Sequence, residues 1–232
     1  MAVGFVASAT SGSQASVATF DIGTLGTSAR CGIVFVATHG VGDLITGVTW
    51  NTVAMTRLYQ GSDTDTEPGA VVAYFLDGVT NGIITVTRTN NAMVTVGYAA
   101  SVSADLACEV FQTLTRGGNA GSGTNADSTG TGTAASSEVS VDDGNAPTAS
   151  MRFSAFYTGA ATPVLAGTNS TLLQSLDSTA FGSTFVRETT AGSGSRSVGA
   201  ATGTTDDWAL VAVAIRERRV PRFTSYPQLL SH

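Results

Sequence analysis

ITGVTWNTVAMTRLYQ (Ile45–Gln60), followed by AVVAYFLDG (Ala70–Gly78) and VTNGIITVTR (Val79–Arg88), is the stretch whose reading decides the fold. Each run is short, rich in β-branched or aromatic residues, and closed by Gly, Asn or Asp, as consecutive antiparallel strands are. Asn51-Thr52 lies between VTW and VAMTRL, so a tight hairpin there brings Trp50 close to Val53.

Outward from this block the same pattern repeats. Strands are predicted at Val3–Ala7, Ser16–Asp21, Arg30–Thr38, Thr46–Trp50, Val53–Tyr59, Val71–Leu76, Ile83–Arg88, Val94–Val102 and Ala107–Leu114. A second set follows at Glu138–Val141, Ser150–Tyr157, Thr171–Ser175, Phe181–Glu188, Ser195–Ala200 and Trp208–Arg216. Turn chemistry separates them, as in Asp77-Gly78, Asn81-Gly82 and Asp143-Gly144. No run keeps helical periodicity for the roughly 11 residues that would mark a helix. CGIVFVAT (31–38) and WALVAVAI (208–215) are almost continuously apolar, which predicts central strands. These features predict an all-β, antiparallel, jelly-roll-like β-sandwich over residues 1–215, with an extended C-terminal arm over 216–232.

A chain of 232 residues fits one large β domain and folds without the help of disulfides or metals. Gly117–Ser137, GGNAGSGTNADSTGTGTAASS, is of low complexity. It reads as a long surface loop rather than a linker, because the apolar 208–215 run needs partners from the first half.

Charge is unevenly placed. The net charge is -6, and all 11 basic residues are arginine. Residues 1–215 hold 7 Arg and 16 acids, whereas the last 17 residues hold Arg216, Arg218, Arg219 and Arg222 against Glu217 alone. An acidic body with a basic tail argues against nucleic acid as the main partner, since phosphate binding calls for a broad basic surface. It suits a tail that docks on protein. Pro221 and Pro227 keep the arm from regular structure, and Phe223, Tyr226, Leu229 and Leu230 are spaced apolar anchors. The candidate partner-binding residues are therefore Arg216, Arg218, Arg219, Arg222, Phe223, Tyr226, Leu229 and Leu230, of types enriched at contact hot spots. The N-terminus has no basic region followed by a sustained apolar run, so a secretory signal is not expected. No stretch reaches the roughly 20 apolar residues of a membrane span.

No candidate chemistry stands out. Asp63, Asp65 and Glu67 in SDTDTEPG resemble the start of a calcium loop, but Pro68 and Tyr74 stand where that loop needs Gly and a carboxylate. A solvated turn fits them better. His39, with Asp43 nearby, is the one internal histidine, and no nucleophile signature accompanies it. Cys31 and Cys108 lie in predicted strands and read as reduced, buried residues. Two cysteines and two histidines argue against a zinc site built from Cys and His. Trp50, Tyr59, Tyr74, Phe75 and Trp208 could line a sugar-binding face, although their spacing is that of ordinary strand alternation. No catalytic, cofactor or metal residue is assigned, and the chain reads as a non-enzyme without cofactors.

Several quoted motifs resemble a loosely defined family of β-sandwich virion proteins encoded with the structural genes of tailed phages. They are Val48-Thr49-Trp50-Asn51, Met55-Thr56-Arg57, Tyr74-Phe75-Leu76 and Gly82-Ile83-Ile84-Thr85-Val86-Thr87. The family pattern is a V-T-x-N/G-G-x-x-L/M-T-R hairpin, a strand ending in Y-F/W-L, and a G-T-x-T-V-T-V strand. The likeness covers most of 15–216, departs at Thr52, where the family has glycine, and has no counterpart for the arm. It implies a structural subunit of the virion, made in the host cytoplasm. The first expectation is a homo-oligomeric capsid decoration or head-fibre protein on the particle exterior. Its partners would be the major capsid protein or copies of itself. The alternatives are a tail or baseplate subunit touching the host, where a surface glycan would be a partner, and a carbohydrate-binding module. A glycan hydrolase is the enzymatic alternative.

Overall fold

The computed structural model describes residues 3–14, 18–40, 45–63, 69–89, 94–118, 136–142, 149–159, 164–167, 169–177, 181–202 and 208–218. These residues contain strands and turns and no helix. The first half of the chain contributes β1 (Gly4–Gln14), β2 (Ala18–Asp21), β3 (Ala29–His39), β4 (Ile45–Trp50), β5 (Val53–Ala54), β6 (Thr56–Asp63), β7 (Gly69–Asp77), β8 (Ile83–Arg88) and β9 (Thr95–Ser103). The second half contributes β10 (Cys108–Gly118), β11 (Ser136–Asp142), β12 (Met151–Thr158), β13 (Val164–Ala166), β14 (Ser170–Asp177), β15 (Gly182–Glu188), β16 (Ser195–Thr202) and β17 (Trp208–Glu217).

Pairing within each half is nested. In the first, β1 pairs with β9, β2 with β8, β3 with β7 and β4 with β5, all antiparallel. In the second, β10 pairs with β17, β11 with β16 and β12 with β15. Each half is thus a long antiparallel ribbon, folded over so that the chain passes between two sheets. The first ribbon makes a five-stranded sheet, β1-β9-β3-β7-β6, and a four-stranded one, β2-β8-β4-β5. The second makes a five-stranded sheet, β10-β17-β12-β15-β14, and a three-stranded one, β11-β16-β13. Strand for strand the two orders are the same, with β5 the one strand lacking a counterpart among the described residues. The chain is a tandem topological repeat.

The two five-stranded sheets pack face to face. Cys31, Ile33, Phe35 and Ala37 of β3 meet Met151, Phe153, Ala155 and Tyr157 of β12 and Val211, Val213 and Ile215 of β17 in one central core. The alternate residues of the same strands face outward into two further cores. Val34, Val36 and Tyr74 pack under Phe20, Val48, Trp50, Ile84 and Val86 of the four-stranded sheet. Phe156, Trp208, Leu210 and Ala212 pack under Val198 and Ala200 of the three-stranded one. The result is a four-layer stack. Edge strand β10 lies against β6, and β1 against β14, as a two-fold relation between the ribbons would produce. Aromatic contacts tie the central layer, with the Phe35 and Phe185 ring centres 5.4 Å apart and those of Tyr98 and Phe185 5.7 Å apart. Each such buried side chain contributes about 1.5–3 kcal/mol.

The antiparallel all-β sandwich expected from the sequence is what the chain forms, and 31–38 and 208–215 are central strands. Its layout differs from one two-sheet sandwich. The 208–215 run draws its hydrogen-bonded partners from β10 and β12 of its own ribbon and meets the first half only face to face. The ribbons join at residues 104–107. The ends of Gly117–Ser137 belong to β10 and β11 of the second ribbon, so this loop does not divide the ribbons; residues 119–135 lie outside the described residues. The predicted strand Val53–Tyr59 breaks at Met55, whose N–H donates to the Val48 carbonyl at 2.9 Å. That break carries the chain from the four-stranded sheet into the five-stranded one. β17 runs to Glu217, so the first two residues of the expected arm, Arg216 and Glu217, belong to the strand.

Candidate functional site

Arg216, Arg218, Cys31 and Cys108 gather where the two ribbons join. Arg216 lies on β17 opposite Glu109 of β10, and its Nε donates to the Glu109 carboxylate at 2.8 Å. The Asp105 N–H donates to Glu217 Oε1 at 2.6 Å, and the Arg218 N–H to the Ala107 carbonyl at 2.6 Å. Asp77 closes the other side. Its Oδ1 accepts the Cys108 N–H at 3.1 Å, and its Oδ2 faces the Arg30 guanidinium at 3.4 Å. The end of β17 is therefore clamped at several points to the start of the second ribbon.

Cys31 and Cys108 lie inside this junction, fully buried and unbonded. Cys31 stands opposite Asp77 in the β3–β7 register and shares the central core with Cys108. Burial first, then the neighbouring Cys108 thiol and the Asp77 charge, holds the Cys31 thiol far above its ordinary range.

At the other end of β3, half-buried His39 has Nδ1 2.8 Å from the Tyr157 hydroxyl and stacks on Phe181 with centres 6.2 Å apart. This links the ribbons and leaves the ring committed to a packing contact; Asp43 lies outside the described residues. A second buried cluster closes the β15–β16 turn. Arg152, with no exposed surface, donates to Glu188 Oε2 at 2.9 Å, to the Gly192 carbonyl at 3.1 Å and to the Gly194 carbonyl. Arg196 pairs with the second Glu188 oxygen. Arg88, on β8, donates to Thr95 Oγ1 at 2.6 Å, and burial lowers its pKa.

The aromatic residues considered for a sugar face are mostly interior. Trp50, Tyr74 and Trp208 are buried in the outer cores, and the Trp50 Nε1–H donates to the Thr80 carbonyl at 2.8 Å. Phe75 packs against the central core. Of the acidic turn, Asp63 ends β6 opposite Gly69, and residues 64–68 lie outside the described residues. No cluster of three or more His, Cys, Asp or Glu placed to hold a metal occurs among the described residues. No helix of the described residues is long and apolar enough to cross a membrane. Of the predicted contact residues, Arg216 is an ion-paired strand residue and Arg218 is exposed just after β17. Arg219, Arg222, Phe223, Tyr226, Leu229 and Leu230 lie outside the described residues.

The junction was missed in the sequence, because its bonded partners lie as far as 112 residues apart, as Asp105 and Glu217 do. The one signal available was the spread of single charges at strand ends, at Arg30, Asp77, Glu109 and Arg216. In comparison with known proteins, no family model, no curated protein and no solved structure matches this chain.

Proposed function

We propose that the chain is a non-enzymatic structural subunit of a tailed-phage particle, carried on the capsid exterior as a decoration or head-fibre protein. Its basic C-terminal arm binds the major capsid protein or another copy of the chain. The observation that carries the reading is the clamped root: Arg216–Glu109, Asp105–Glu217 and Arg218–Ala107 fix the point from which the arm leaves. A fixed departure point lowers the conformational cost of docking a short segment on a neighbour. The arm is basic and the body acidic, so complementary charge would steer the encounter. Further support comes from the charged side chains of the junction and the β15–β16 turn, which make internal bonds, as in a scaffold. The hairpin-and-strand motifs of 45–88 add the likeness to phage sandwich proteins.

Arg216 acts here as an anchor of the root, and the docking contacts fall to Arg218, Arg219, Arg222, Phe223, Tyr226, Leu229 and Leu230. The test is deletion of residues 219–232, which spares the Glu217 clamp. The shortened chain should fold with an unchanged unfolding temperature and be missing from purified particles. Full occupancy by the shortened chain would remove the arm from the proposal. Absence of the intact chain from particles of the phage that encodes it would remove the particle itself. A tail or baseplate subunit would use the same root and arm, and immunogold labelling of particles separates the two positions.

A further inference from the structure

We propose that Cys31 and Cys108 are a latent disulfide, a modification site that staples the two ribbons together when the chain meets a low-molecular-weight disulfide. Cys31 belongs to the first ribbon, and Cys108 opens the second. Both are fully buried in the central core. Asp77 brings them together, because it faces Cys31 in register and accepts the Cys108 N–H at 3.1 Å, and both side chains belong to the same buried core. Closing the bond requires the two sulfur atoms to come to about 2 Å from each other. The only covalent links between the ribbons otherwise pass through residues 104–107, so a bond here constrains the unfolded chain across a long loop.

Burial makes the pair slow to react, and the raised Cys31 pKa adds to this, since the thiolate is the nucleophile. Access comes through the connecting segment, where Leu106 is 46% exposed and Cys108 is the first strand residue. When that segment opens, the Cys108 thiol loses its proton and attacks one sulfur of the external disulfide. A mixed disulfide forms and one external thiol leaves with a proton. Cys31 then attacks the Cys108 sulfur and releases the second external thiol. Two protein thiols are oxidised and one disulfide is reduced to two thiols, so atoms and electrons balance.

The test uses the full chain incubated with oxidised glutathione, at a temperature where hydrogen exchange shows residues 104–108 opening. The expected product is a Cys31–Cys108 linked peptide in non-reducing mapping, with a raised unfolding temperature that falls back on reduction. Cys31→Ala should stop at the glutathione adduct on Cys108. Asp77→Asn keeps an oxygen for the Cys108 N–H and removes the charge beside Cys31, so it should oxidise severalfold faster. Two thiols still free after such opening would overturn the proposal. So would links only between chains, or a linked protein that unfolds at a lower temperature. None of these readouts depends on the particle reading.

Discussion

The two ribbons share a strand order but close their outer layers by different chemistry. In the first, the four-stranded sheet covers its neighbour with large apolar groups: Phe20, Val48, Trp50 and Ile84 lie over Val34, Val36 and Tyr74. The extra β4–β5 hairpin seals the end, with the Asn51 side chain accepting the Ile83 N–H at 3.1 Å and donating to Thr80 Oγ1 at 3.1 Å. In the second, the three-stranded sheet presents small residues, Val198 and Ala200, over Phe156 and Trp208. There the turn is held by Arg152, Glu188 and Arg196 instead. One topology therefore tolerates an apolar closure and an ionic one. The ionic closure is the more fragile to single changes, because a buried charge that loses its partner has no water to turn to.

That contrast predicts the largest effect. Arg152→Ala leaves Glu188 buried beside a half-exposed Arg196 and removes one donor each from the Gly192 and Gly194 carbonyls. The expected loss is about 3–5 kcal/mol in urea unfolding. The double change Arg152→Met with Glu188→Leu should cost far less than either single change, since an apolar pair can replace a buried ion pair with little penalty. If the double variant is as unstable as Arg152→Ala, the second closure depends on the carbonyl contacts and the ionic description fails.

The first ribbon offers the matching test of apolar closure. Gly32, on β3, lies under the Trp50 ring, and a methyl added there would sit 2.4 Å from Trp50 Cζ3. Gly32→Ala should therefore destabilise by about 1–3 kcal/mol through overpacking. Trp50→Phe removes the ring atoms in the way. A double-mutant cycle should then show the two changes coupled, with the Gly32→Ala penalty smaller in the Trp50→Phe background. Additive penalties would mean the indole moves aside freely and the layer is not tightly packed.

These contrasts also explain what was legible in the sequence. The strands were, because each alternates or is continuously apolar, and those patterns follow directly from burial of one face or two. The Trp50–Val53 pairing was too, because a two-residue gap between β runs has few solutions. The repeat was hidden. CGIVFVAT and MRFSAFYT occupy corresponding strands, yet the second carries a fully buried arginine that reads in a sequence as a solvent-facing position. Its partner Glu188 lies 36 residues away, beyond any local pattern. β13 escaped because Val164–Ala166 is three residues long, too short for periodicity to register. Two stacked ribbons also leave the same apolar strands as one larger sandwich, so strand patterns alone do not separate them. Nor does the sequence show which strand ends converge, and so neither the clamp at the end of β17 nor the two neighbouring cysteines was visible.

The smallest effect tests the hairpin that only the first ribbon has. Asn51 and Thr52 both adopt left-handed backbone, with φ of 48° and 69°. This suits the right-handed twist of the strands they join. Asn tolerates that region, but a β-branched residue does so at a cost. Thr52 is exposed, so its side chain offers no buried contact to offset the strain. Thr52→Gly relieves it, while the greater freedom of glycine in the unfolded chain works the other way. Relief of a strained left-handed residue is worth on the order of 1–3 kcal/mol, and the entropy loss on ordering glycine is roughly 0.5–1 kcal/mol. The substitution should raise stability by about 1 kcal/mol, read as a higher urea midpoint at an unchanged slope. It should add to Arg152→Ala without coupling, because the two positions lie in different ribbons with no shared partner. A lower midpoint would mean that the hairpin is held in its shape by Asn51 alone and that Thr52 carries no strain.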